Sequence, residues 1–201
     1  YLPEIPIDKI LLETDNAEID ISTIYHKMAS IKKIALPELQ QIIDICYRHN
    51  VIIVSDEIHS DLVYPPLKHT PIASLSEKAK QITVTLSSPG KTFNLGGLHI
   101  GYAIIANDQL KTQYLNICQN THIDGLNLFA QTALIAAYSH QGKEWRDHLL
   151  NHFSENIAKL SRFLKQEFPQ IKLMQPQAGY LVWLDFREMF NSQQEIFKFF
   201  F

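Results

Sequence analysis

"QITVTLSSPGKTFNLGGLHIGY" (81–102) joins two β-branched runs through a loop of small residues built around one lysine, Lys91. The first run predicts a strand over 81–88. "HIGYAIIAN" predicts another over 99–107. Three of the chain's seven glycines, Gly90, Gly96 and Gly97, flank the lysine. A glycine-rich loop leaving a buried strand sits at the carboxyl edge of a sheet, and open α/β sheets bind ligands at that edge.

Working outward, "VIIVSDE" (51–57) is a short, apolar, β-branched run, which predicts a buried parallel strand ending near Asp56. Before it, residues 37–49 repeat apolar side chains at helical spacing. Leu39, Ile42, Ile43 and Cys46 share one face, and Pro37 suits the first turn. A polar loop bearing Pro65, Pro66 and Pro71 follows the strand. On the far side, 108–120 predicts a helix capped by Asp108. Residues 126–140 predict a helix that is apolar nearly all round and needs cover on more than one side. A long amphipathic helix over 143–168 carries Leu149, Phe153, Ile157, Leu160 and Leu164 on its apolar stripe, and "AGYLVWLDF" (178–186) returns to strand character. Helices alternating with buried strands predict an α/β fold with a mainly parallel sheet. The long helix leads toward a second, smaller α+β domain.

Composition narrows the function classes. The chain has 201 residues, 46% of them hydrophobic, and a net charge of -3. That balance points away from nucleic acid and from anionic membrane surfaces. Cys46 and Cys118 both lie in apolar periodic segments, which predicts buried thiols rather than a disulfide framework. With no membrane-spanning run and no signal peptide, a cytoplasmic location is expected. The chain opens on Tyr1 and closes on the aromatic "IFKFFF" (196–201), so it reads as a piece of a longer protein.

Lys91 admits three readings. "GKT" (90–92) ends a P-loop, but that motif needs a glycine where Thr85 stands and a helix opening at the lysine. A lysine in a loop is most simply a solvated charge. The third reading is a Schiff-base lysine for pyridoxal 5'-phosphate. That chemistry needs an amine for the aldehyde, an acid for the pyridine nitrogen and donors for the phosphate. Lys91, Asp56 and Ser88 supply one of each. In "SDEIHSDL" (55–62), Asp56, His59 and Asp61 could also be metal ligands, but no second cluster supports them, and no metal is expected. Taken alone, the stretch is equally an acidic exit from a strand.

Taken together, "VIIVSDEIHSDLVY" (51–64) and "SSPGKTFNLGGL" (87–98), with Lys91 placed 35 residues after Asp56, resemble the class I/II aminotransferase superfamily of fold-type I pyridoxal phosphate enzymes. The resemblance is narrower still to the cystathionine β-lyase (PatB/MalY-like) branch of C–S lyases. "AAYSHQGKEWRDHLLNHFSENI" (136–157) and "PQAGYLVWLDFRE" (176–188) continue it in the same order, so it covers residues 36–188. The resemblance implies a partial cofactor-binding large domain over 1–141, then an interdomain helix and the start of a small C-terminal domain over 142–201. It implies that Lys91 holds the cofactor and shuttles a proton, and that Asp56 pairs with the pyridine nitrogen. His59 would lie beside the cofactor's 3'-oxygen. Ser88 would bind phosphate, and His99 stands where many aminotransferases carry a phosphate-binding arginine. Gly90 replaces the serine usual before the lysine.

The family pattern also contains an N-terminal half with a phosphate cup, an Asn-Pro-His-Asn-Pro-type turn before the first helix, and a C-terminal arginine for the substrate carboxylate. Here "IDISTIYHKMASIKKIALPELQ" (19–40) runs straight into that helix, and none of these features is found. The resemblance implies a β-lyase converting L-cystathionine to homocysteine, pyruvate and ammonia. An aminotransferase and a non-catalytic remnant are the alternatives. The implied partners are a small amino-acid substrate and a second copy of the chain, as a homodimer.

Overall fold

The computed structural model describes residues 36–123, 125 and 127–201. The run over 19–35, where the family's strand and turn would fall, lies outside them. The chain forms two compact units. One comprises 1–57, 70–87 and 101–125; the other comprises 58–69, 88–100 and 126–201.

The first unit is built on a three-stranded sheet in the order β1 (Ile53–Asp56), β2 (Thr83–Ser87), β3 (Tyr102–Ile105). β1 and β2 run parallel, with Ile53 opposite Thr83 and Asp56 opposite Leu86. The expected parallel arrangement holds for this pair. β3 instead returns antiparallel, with Ser87 opposite Tyr102. The reason is the connection: a parallel neighbour needs a long crossover, usually helical, and residues 88–101 contain only the 3₁₀ turn Gly96–Leu98. The apolar run at 99–107 looks the same in either direction, so its sense was not readable from its residues.

Helix α1 (Leu36–Arg48) matches the predicted helix, and Ile43 is its fully buried residue. Ile42, expected on the same face, is exposed. Helix α2 (Glu77–Ile82) corrects the strand expected from 81: the helix runs through Ile82 and the strand begins at Thr83. Its cap is Ser76, whose hydroxyl accepts a hydrogen bond from the backbone of Ala79 at 3.1 Å. Helix α3 (Asp108–Asn120) is capped by Asn107 rather than Asp108. Asn107 accepts from Leu110 N at 3.1 Å and donates to Gln81 O at 3.0 Å, so one side chain closes two elements. Among the described residues of this unit, Ile43, Ala79, Ile82, Val84 and Cys118 are the buried apolar ones. Cys46 is only half-buried, which corrects the expectation for one of the two thiols.

The second unit centres on helices α4 (Leu128–Ala137) and α5 (His140–Glu167). Both are shifted relative to the periodic runs: α4 closes at its C-cap Tyr138, and Ser139 caps α5, accepting from Gly142 N at 3.2 Å. Gly142 has no room for a side chain: a Cβ there would lie 1.9 Å from Ala137 O. The apolar face of α5 packs Leu149, Leu150, Phe153 and Ile157 against Leu62 and Tyr64. An antiparallel pair, β4 (Lys172–Met174) and β5 (Trp183–Asp185), follows. The strand expected over 178–186 is confined to its last part, because Gly179 takes φ +79° and turns the chain. Helix α6 (Gln193–Phe200) ends the unit.

Candidate active site

Asp56 and Ser87 close two parallel strands at one rim of the sheet, since Asp56 pairs with Leu86. Asp56 is exposed there, in the first unit. Its neighbour Glu57 is buried, accepting from Ser55 Oγ at 3.1 Å and from Ile72 N at 3.4 Å. Alternation along β1 thus presents the aspartate outward and commits the glutamate to structure.

His59, Ser88, Lys91 and His99 belong to the second unit. Ser88 opens the lysine loop. Its hydroxyl donates to Ile100 O at 2.6 Å and accepts from Gly90 N at 2.9 Å. That bond ties the start of the loop to its end, beside His99. The substitution of glycine at 90 suits this arrangement, because a Cβ there would approach Ser88 Oγ to 3.0 Å. Between the ends the chain winds through Phe93 N to Pro89 O at 2.9 Å and Leu95 N to Gly90 O at 3.0 Å. Lys91 is exposed on this turn while Thr92, the next residue, is buried. Thr92 Oγ1 has no hydrogen-bond partner. His99 is exposed with φ 49°, a left-handed conformation that caps the turn Gly96–Leu98. Such a conformation is uncommon for any residue but glycine, with histidine among the tolerated exceptions.

His59 precedes the 3₁₀ turn Ser60–Leu62, and its carbonyl accepts from Leu62 N at 3.0 Å. Its ring lies 5.9 Å from that of Tyr180. The following residues are anchored in the second unit: Tyr64 N donates to Gln177 O at 3.0 Å, Gly179 N donates to Leu62 O at 2.9 Å, and Tyr64 Oη donates to Gly179 O. Burial pushes the Tyr64 phenol up from its ordinary value.

Sequence reasoning missed the side chains that hold these loops. Phe93 packs edge-on against Tyr138, with centroids 5.8 Å apart, and stacks on Trp145 at 5.6 Å. Tyr138 Oη donates to Asp61 Oδ2 at 3.2 Å. Arg146 reaches Asp61 Oδ1 at 3.7 Å and Asp147 Oδ1 at 3.0 Å. Their separation along the chain left no local signal. Among the described residues no group of three or more His, Cys, Asp or Glu side chains could hold a metal ion. None of the described helices is long and apolar enough to cross a membrane.

The model of the family "Aminotransferase class I and II" matches residues 32–198. Cystathionine beta-lyase PatB of Bacillus subtilis is 44% identical over 160 residues, covering 79% of this chain and 41% of that protein. Protein MalY of Escherichia coli is 36% identical over 155 residues, covering 76% of this chain and 38% of its own. The chain therefore spans about two fifths of the length of these curated relatives. The crystal structure of cystalysin from Treponema denticola, which contains a pyridoxal 5'-phosphate cofactor, superposes with a TM-score of 0.71 at 28% identity, covering 82% of this chain and 41% of that one. With the model matched along most of its length and the strand rim and lysine loop in the order read from the sequence, the chain belongs to the class I and II aminotransferase family.

Proposed function

We propose that the chain carries the lysine-bearing core of a pyridoxal 5'-phosphate-dependent C–S β-lyase acting on a cystathionine-like amino acid. The observation that carries this reading is the parallel pair β1–β2, which ends in an exposed carboxylate and leads directly into an exposed lysine. The 44% identity to a cystathionine β-lyase favours the lyase branch.

The residues fit the cofactor in four respects. Asp56 offers a carboxylate at the strand rim, suited to a protonated pyridine nitrogen. Lys91 offers an accessible amine. Thr92 leaves a buried hydroxyl unspent beside it. Ser88 fits by exchange: its proton is committed to Ile100 O, and donating to a phosphate oxygen means giving up a bond worth roughly 1 kcal/mol. When bound, pyridoxal phosphate supplies an electron sink that acidifies the substrate Cα–H. Lys91 Nζ would take the proton from Cα and would return it to the departing sulfur, so that Cβ–S cleavage releases the thiol of homocysteine; water would hydrolyse the remaining fragment to pyruvate and ammonia. His59, exposed ahead of the turn Ser60–Leu62, would serve the cofactor's 3'-oxygen. A homodimer is the assembly in which this core would work.

The family model's own description keeps a second reading in view, an aminotransferase. Incubating the chain with pyridoxal phosphate and L-cystathionine separates the two. A lyase releases a free thiol and pyruvate without a keto-acid acceptor. An aminotransferase needs the acceptor and releases no thiol. Absence of both activities, together with no covalent cofactor on Lys91, would reject the enzyme reading altogether.

A further inference from the structure

The loops that carry Lys91 and His59 meet one corner of the second unit, where α4 ends and α5 begins. The spacing is matched on both sides. Phe93 stands two residues after Lys91, and Asp61 stands two residues after His59. Phe93 packs on Tyr138 and Trp145. Asp61 accepts from the hydroxyl of the same Tyr138 and faces Arg146. Tyr138 therefore touches both loops, one with its ring and one with its hydroxyl. The corner beneath it is closely packed: a Cβ on Gly142 would lie 1.9 Å from Ala137 O.

We propose that Tyr138 is a positioning residue: its ring against Phe93 and its hydroxyl on Asp61 set the placement of Lys91 relative to His59. This rests on the reading of Lys91 as the cofactor lysine, but the tie between the loops can be measured without cofactor. Other charged groups face the same corner. Lys143 bonds Asp147 at 2.6 Å, and Arg146 shares itself between Asp147 and Asp61. Arg146 is thus a second partner of Asp61 and Trp145 a second partner of Phe93, while Tyr138 touches both Asp61 and Phe93.

Two variants split the two contacts. Tyr138→Phe keeps the ring and loses the hydroxyl; Tyr138→Leu loses both. Backbone hydrogen exchange on the full chain reads each loop separately, with 83–87 as control. Tyr138→Phe is expected to speed exchange in 58–69 by about 2- to 10-fold, the range of one net hydrogen bond, and to leave 88–100 and the control unchanged. Tyr138→Leu should speed both loops and spare the control. A merely structural role would move all peptides together, and that result, or no change in 58–69 for Tyr138→Phe, overturns the proposal. Should the leucine variant fail to fold, the phenylalanine variant decides alone. A second readout is the rate at which borohydride fixes pyridoxal phosphate on Lys91, which Tyr138→Phe should lower several-fold. An unchanged rate also overturns the proposal. If the unmodified chain fixes no cofactor, the cofactor reading fails and the exchange pattern decides the positioning role.

Discussion

The loops 58–69 and 88–100 both present a candidate site residue to solvent, yet they are held in different ways. The first is anchored by apolar burial. Leu62 is 0% exposed, Tyr64 is buried beside it, and both pack on α5. The second also buries Pro89, Thr92 and Ile100, but its hydroxyl and ring contacts, the Ser88–Ile100 hydrogen bond and a stack that leaves Phe93 partly exposed, lie nearer the surface. The difference teaches where each loop's stability comes from. Burial of a leucine contributes several kilocalories and is unforgiving. Turns and one hydrogen bond contribute about 1 kcal/mol apiece and can be exchanged for contacts to a ligand. In the proposed reading, the loop offered to a cofactor's phosphate is the one whose Ser88 hydroxyl bond can be exchanged.

Three substitutions sharpen or break that contrast, and a fourth change probes the β4–β5 pair. Leu62→Ala should cost the most, roughly 2–5 kcal/mol, because it empties a fully buried site against Leu150. Urea denaturation measures it, and a cost below about 1 kcal/mol would mean that the first loop is not anchored by burial. Gly142→Ala comes next. Its methyl collides with the backbone of Ala137, so overpacking of about 1–3 kcal/mol or more is expected, with both loops loosened together. Ser139→Ala removes the α5 cap and should cost about 1 kcal/mol, seen as a lower melting temperature without loss of helix content in the far-UV spectrum.

The smallest effect is one of pH, and it lies away from both loops. Arg187 hydrogen bonds hold the Asp185 carboxyl at about 2, below its ordinary 3.8. A depressed carboxyl stabilises fully above the unfolded value and loses that contribution as the pH falls through the folded one. The β4–β5 pair should therefore be unaffected above pH 4 and weaken between 4 and 2. Hydrogen exchange of 172–185 at stepped pH checks this, and weakening that began near neutrality would point to a different group.

Much of this was legible in the residues because the signals were local. Periodicity located α1, α3 and α5, and β-branched runs located β1 and β2. Asp56 and Lys91 stood out because their residue types and spacing carry chemistry. What escaped was set by geometry. Asn107 and Asp108 are both good caps, and only the backbone angles decide between them. The sense of β3 depends on what its connection lacks, not on its own residues. The Phe93–Tyr138–Asp61 tie joins residues far apart in sequence, and an aromatic at 93 reads locally as ordinary core. Helix α4 shows the converse: its apolar sides were plain in the sequence, and Leu128, Phe129 and Ile135 nonetheless remain exposed, so the predicted need for cover is unmet within the described residues.

The central claim is that Lys91 is the cofactor lysine of a loop built to exchange contacts. The direct test is to incubate the full chain with pyridoxal phosphate, reduce with borohydride and locate the added mass by peptide mapping, beside a Lys91→Ala variant. Because Lys91 is exposed, the substitution should change stability by no more than about 0.5 kcal/mol. The account predicts a single modified peptide containing Lys91, and none in the variant. Modification spread over Lys111 and other surface lysines, or persisting undiminished in the variant, would contradict it.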